Sequence, residues 1–207
     1  MHARLLVLTP WHFVRLMIRP SDAGACLASA APETSAVLLR LVIPLSLVPP
    51  LLAYIGGAVF GWHLGGGTPL YISPAGLTLI SLGYFVALIT GFLSTAAVAS
   101  WMADTYGAKR EYGTHLAFVV LVGMPVILAS VGHLAPHAFV NMIVLIPALI
   151  WSLYLLYRCL PAALGTSPER GMLMASSLVA YLLVAGVSLL GITVVLWTGG
   201  IGPTLGV

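Results

Sequence analysis

The sequence predicts an all-α polytopic membrane protein, a bundle of five transmembrane helices preceded by an interfacial amphipathic helix. Three observations predict it. Of 207 residues, 60% are hydrophobic and 6% carry formal charge, with mean hydropathy +1.10, against about 25% charged in an ordinary soluble domain. Five segments are apolar over lengths able to cross about 30 Å of hydrocarbon at about 1.5 Å per residue. All eight Lys and Arg residues fall on one side of the resulting layout.

The N-terminal segment, residues 1–35, is expected at the cytoplasmic surface. Its run "LLVL" is too short for a signal-peptide core and ends at Pro10 without a cleavage pattern, so no cleavage is expected. "WHFVRLMIR", Trp11 to Arg19, mixes aromatic and aliphatic residues with Arg and His over too few positions to span, which suits a helix lying flat in the interface. Residues 21–35, bracketed by Pro20 and Pro32, read as a short helix or loop.

The membrane domain, residues 36–197, contains the five spans: Ala36 to Gly61, Pro74 to Met102, His115 to Val131, Ala138 to Tyr157 and Met172 to Trp197. The third is the shortest. Trp62, Trp101 and Trp197 fall at span ends, as aromatic anchors do. Arg4, Arg15, Arg19 and Arg40 precede or open the first span; Lys109 and Arg110 lie between the second and third; Arg158 and Arg170 flank the connection of the fourth and fifth. By the positive-inside rule that side is cytoplasmic, probed by the charge of short loops. The tail, residues 198–207, is then periplasmic or extracellular.

Several function classes are disfavoured. The net charge of +3 comes without a basic cluster denser than Lys109 and Arg110, so nucleic acid is not expected as a partner. Cys26 and Cys159 form neither a disulfide framework nor a metal-ligand spacing. The chain has no GxSxG, Walker A or HExxH motif. Glu111 and His115, four apart, are an acid–base candidate without a nucleophile. His63, His133 and His137 are candidate metal ligands, although Pro136 interrupts the helix that would align the last two. No cofactor is expected.

Other features concern packing. Gly83, Ala87, Gly91, Thr95 and Ala99 form a stripe of small residues at i, i+4 spacing, suited to close helix approach in lipid, within the chain or against a second copy. Pro44, Pro49, Pro50, Pro125 and Pro147 interrupt spans; each removes a helical hydrogen bond, and such breaks either shape a bundle or line a pathway. Arg40, about one turn inside the first span, can snorkel to the interface. In "LPAALGTSPERG", Pro161 is expected to end the fourth helix, with Ser167, Pro168 and Glu169 as N-cap, first position and acidic first turn of the fifth.

"IRPSDA" before the first span, "MP" within the third and "LLYRCLPAALGTSPERG" from Leu155 to Gly171 resemble the bacterial branch of the Yip family, multi-spanning proteins of the Ypt/Rab-interacting type. The resemblance implies five spans with a cytoplasmic N-terminus and assigns no reaction. Eukaryotic members are associated with Rab GTPases; "DTYG", Asp104 to Gly107, is similar to their "DLYG" but lies between spans two and three and is not carried over. The expected function is a non-enzymatic membrane-organising or adaptor component. Its partners are the lipid bilayer and a homo-oligomer or other membrane protein, met through a cytoplasmic face of Asp104, Lys109, Arg110, Glu111, Arg158, Glu169 and Arg170. The alternative is a small transporter, channel or lipid-translocating protein built on kinked helices.

The layout makes a topological prediction. Alkaline phosphatase fused at Gly67 or Pro136 should be active outside the cytoplasm, and fused at Gly107 or Thr166 it should be inactive. The reverse pattern of reporter activity would invert the assignment.

Overall fold

The computed structural model describes residues 9–63, 67–108 and 110–199. Seven helices follow one another. They are α1 (Pro10–Ile18), α2 (Pro20–Ala30), α3 (Thr34–Phe60), α4 (Pro74–Tyr106), α5 (Tyr112–Ala129, extended by a 3₁₀ turn Ser130–Leu134), α6 (Ala138–Leu164) and α7 (Pro168–Thr198). Five of them, α3 to α7, are long and apolar enough to cross a membrane. Lys109, Arg4 and the tail beyond Gly199 lie outside the described residues.

Proline starts α1, α2, α4 and α7, where its missing N–H costs nothing. Thr9, Ser73 and Ser167 accept a backbone N–H with their side chains at the starts of α1, α4 and α7, filling donors that would otherwise be orphaned. The last of these is the turn expected from "TSPERG". Pro161, however, does not end the fourth helix. It lies inside α6, which runs on to Leu164 and stops at Gly165 in the left-handed region. The Pro161 carbonyl accepts the N–H groups of Gly165 and Thr166 at 2.9 and 3.0 Å, so the helix closes around its own proline.

The N-terminal helices dock on the bundle. Phe13, Leu16, Ala23 and Leu27 enter the same buried cluster as the spans, while Trp11 and Ile18 on α1 face outward. α2 runs along α6, where the Cys159 thiol reaches the Pro20 carbonyl at 3.3 Å, and the Trp151 indole N–H reaches the Met17 carbonyl at 3.3 Å.

α3 changes its winding. Leu38 to Val42 form a π-helical turn, closed by the Ile43 N–H on the Leu38 carbonyl. The wider turn comes immediately before Pro44, whose ring would otherwise press on the carbonyl four residues back. Pro49 and Pro50 are buried, and Ser81 on α4 donates to the Pro50 carbonyl at 3.4 Å. A neighbouring helix therefore supplies a partner near the break, as lipid cannot.

The third span, α5, is the most enclosed. Of its most apolar window 61% is buried, against 6% in α7. It packs against α1, α2, α3, α4 and α6. Its first turn passes so close to the preceding segment that a Cβ at Gly113 would collide with the Pro32 carbonyl oxygen. Backbone, unlike a flexible side chain, cannot step aside. Gly113→Ala is expected to cost about 1–3 kcal/mol through overpacking, whereas Gly186→Ala, whose added methyl meets nothing within 4 Å, should cost nothing. Thermal unfolding in detergent compares them, and equal stabilities would contradict the close crossing.

Candidate functional site

The connections that the charge pattern puts on one side do meet at one end of the bundle. α4 ends at Gly107 with φ 70° and α6 at Gly165 with φ 73°, a backbone region that glycine reaches without strain. Each glycine is covered by an arginine from the opposite connection. The Arg110 guanidinium packs on Gly165, where an added Cβ would lie 3.1 Å from Nη2, and Arg170 packs on Gly107, at 3.2 Å from Nη1. A cation over a helix C-terminus meets the exposed carbonyls and the negative end of the dipole, typically worth about 0.3–1 kcal/mol. Two further bonds tie the ends together: the Thr166 hydroxyl donates to the Tyr106 carbonyl, and the Tyr106 hydroxyl lies 3.0 Å from Ser177 Oγ.

Beside this interlock lies a polar cavity of about 570 Å³, lined by Asp104, Arg110, Glu111, Ser100 and Thr114 together with Ala31 and Ala103. Three residues singled out in the sequence, Asp104, Arg110 and Glu111, thus share one recess. Arg158 is exposed on α6, and Glu169 and Arg170 are exposed in the first turn of α7. Arg40 is exposed within the π turn of α3. Nothing in the sequence marked Gly107 and Gly165 as the seats of the two arginines; the left-handed caps exist only once both helices have ended.

The acid–base candidate is not assembled. Glu111 is exposed at the start of α5, where its carbonyl accepts the N–H groups of Thr114 and His115. His115 is fully buried; its ring nitrogens make no hydrogen bond of ordinary geometry, and the Arg110 backbone is the polar group that faces the ring. On the same end, Cys26 Sγ lies 3.8 Å from His12 Nε2, and burial pushes the Cys26 thiol above its usual pKa, away from the reactive thiolate.

The three candidate metal ligands gather at the other end but divide between two arrangements. His63 and His137 stack with ring centroids 6.1 Å apart, and the His63 N–H donates to the Pro136 carbonyl at 2.8 Å. His133 turns elsewhere. Its Nδ1 lies 2.7 Å from Asn141 Oδ1 and its Nε2 3.4 Å from the Tyr84 hydroxyl. Because the Asn141 amide nitrogen donates to the Ala135 and His137 carbonyls, Oδ1 must accept, and His133 carries its proton on Nδ1.

The small-residue stripe splits along its length. Thr95 and Ala99 are buried, Ala87 is half-buried, and Gly83 and Gly91 are exposed with open space in front of them. Among the interrupting prolines, Pro49, Pro50 and Pro125 are buried, Pro44 is half-buried and Pro147 faces outward.

Five spanning helices, the third enclosed by three of the others together with α1 and α2, and two connections laced at one end define a polytopic α-helical membrane protein. The family model described as the Yip1 domain matches residues 14–190, and the chain belongs to that family. It is 32% identical over 160 residues to Inner membrane protein YohC of Escherichia coli (strain K12), covering 77% of this chain and 82% of that relative; the protein of the same name from Escherichia coli O6:H1 (strain CFT073) matches equally. No solved structure matches the chain.

The His115 ring, buried without a hydrogen bond of ordinary geometry, makes a prediction about stability. A buried donor without an acceptor costs about 1–3 kcal/mol, so His115→Leu should keep or raise the melting temperature in detergent. A fall of several degrees would show that the ring is held by a polar partner, the Arg110 backbone being the one that faces it.

Proposed function

We propose that this chain is a non-enzymatic, membrane-organising or adaptor component of the Yip type, set in the plasma (inner) membrane with its charged end in the cytoplasm. The orientation rests on the positive-inside rule, and the membrane on the relative called an inner membrane protein. The observation that carries the adaptor reading is the reciprocal seating of Arg110 on Gly165 and Arg170 on Gly107. It turns two short connections into one fixed platform, with Asp104, Arg110 and Glu111 around a recess. A platform whose shape is set before contact loses little entropy on docking. Mixed charge on it favours a partner surface of complementary pattern over lipid headgroups alone. The separation of Glu111 from the buried His115 supports a role without acid–base chemistry.

Photocrosslinking in native membranes tests the reading. A photoreactive residue at Asp104, Glu111 or Arg158 should trap a discrete protein adduct, another polypeptide or a second copy, and one at Met142 on the outward side of α6 should not. Recovery of the uncrosslinked chain alone from all three platform positions would overturn the adaptor role.

A further inference from the structure

α4 and α7 are fastened at the charged end by the Tyr106 hydroxyl and Ser177. Toward the other end a cleft opens between them. It holds two adjoining cavities of about 200 and 390 Å³, both bordered by Ala87. The inner one lies between Gly91 and Thr95 of α4, Phe118 of α5 and Leu182 of α7; the outer one is bounded by Gly83 and Tyr84 of α4 and Thr193 and Trp197 of α7. Gly83 and Gly91 are the floor, since a Cβ on either would meet nothing within 4 Å.

The chemistry of the lining decides what can fill it. Thr95 and Thr193 spend their hydroxyls on the Gly91 and Leu189 carbonyls at 2.7 and 2.8 Å, and the Tyr84 hydroxyl faces His133 at 3.4 Å. No charged side chain borders either cavity. A water or polar solute would find too few partners to stay, and an empty cleft would forfeit dispersion contacts along its whole wall. The phase at hand is hydrocarbon. From Leu79 to Thr95 of α4 the lining of the two cavities runs about 24 Å at about 1.5 Å per residue, inside a hydrocarbon core about 30 Å thick. A second helix is the other apolar occupant, and the test below separates the two. Trp197, near the end of α7, sits where aromatic residues meet headgroups.

The geometry points to a lipid-binding groove: the cleft between α4 and α7 takes one acyl chain of a phospholipid from the leaflet opposite the charged end. Half of the small-residue stripe is thereby a chain-binding floor, separate from the buried half that packs on protein. The inference does not depend on the adaptor reading, because the platform lies at the other end of α4.

The test uses the full chain in vesicles of phosphatidylethanolamine that carry a diazirine near the acyl terminus. Adducts should concentrate in residues 87–95 and 178–182, above the level on residues 142–150 of α6, which face bulk lipid. Gly91→Leu and Gly83→Leu place side chains in open space and should leave melting and gel-filtration behaviour unchanged. Both should lose the concentrated adducts and keep the α6 background. Leu182→Trp, which fills the groove from the α7 side, should do the same and serves if a glycine variant fails to fold. Labelling of the groove no denser than that of α6, or labelling that persists in the filled variants, overturns the proposal. So does efficient crosslinking between two copies through Gly91→Cys, which would put a second chain in the cleft.

Discussion

Everything in this structure is arranged around a helix that lipid gives no reason to bury. In a bilayer, an apolar side chain gains little by leaving hydrocarbon for protein, so helices associate through close packing and hydrogen bonds. α5 is nonetheless the most enclosed span. What encloses it is shape. The backbone at Pro32 lies directly on Gly113, and Phe13, Leu41 and Leu155 come from three other helices into the same cluster as Leu116 and Leu121. Enclosure in turn fixes the ends of the bundle, because α4 and α6, the helices that flank α5 in sequence, are held at the spacing that lets their C-terminal turns be capped from across the gap.

The two ends then differ in kind. At the charged end, arginines lie over helix C-termini: Arg110 packs on the glycine that closes α6 and Arg170 on the one that closes α4. At the histidine end no Lys or Arg is described, and cohesion comes from a backbone bridge at His63 and a side-chain network of His133, Asn141 and Tyr84. Between them, the seam of α4 and α7 is tight at one end and open at the other. A helix pair fastened only at the charged end leaves an apolar cleft that the surrounding phase can enter.

Much of the architecture was legible in the sequence because membrane solvent imposes coarse rules. Span number and the grouping of connections follow from hydropathy and from the placement of Arg and Lys. The capped turn at Ser167 was readable because N-caps use a local code. Less was legible where the outcome depends on partners distant in sequence. The π turn before Pro44, the passage of α6 through Pro161 and the burial of the shortest span are of this kind. The helices also overrun the apolar runs, α6 by about two turns beyond Tyr157, because protein contacts with α2 continue the helix where hydrocarbon no longer does. A stripe of small residues in the sequence does not say what it faces; only the positions of α5 and α7 separate Thr95 and Ala99 from Gly83 and Gly91.

The docking of α2 along α6 constrains how the molecule is made. α2 leaves the ribosome well before the fourth span exists, yet Pro20 and Leu27 find their places only beside that span or within the cluster it completes. Until then the seat of α2 on α6 does not exist, and the outward Trp11 and Ile18 of α1 are the side chains of this segment suited to the membrane interface. Assembly therefore joins parts far apart in the chain: α2 reaches its seat only when α6 is present to receive it.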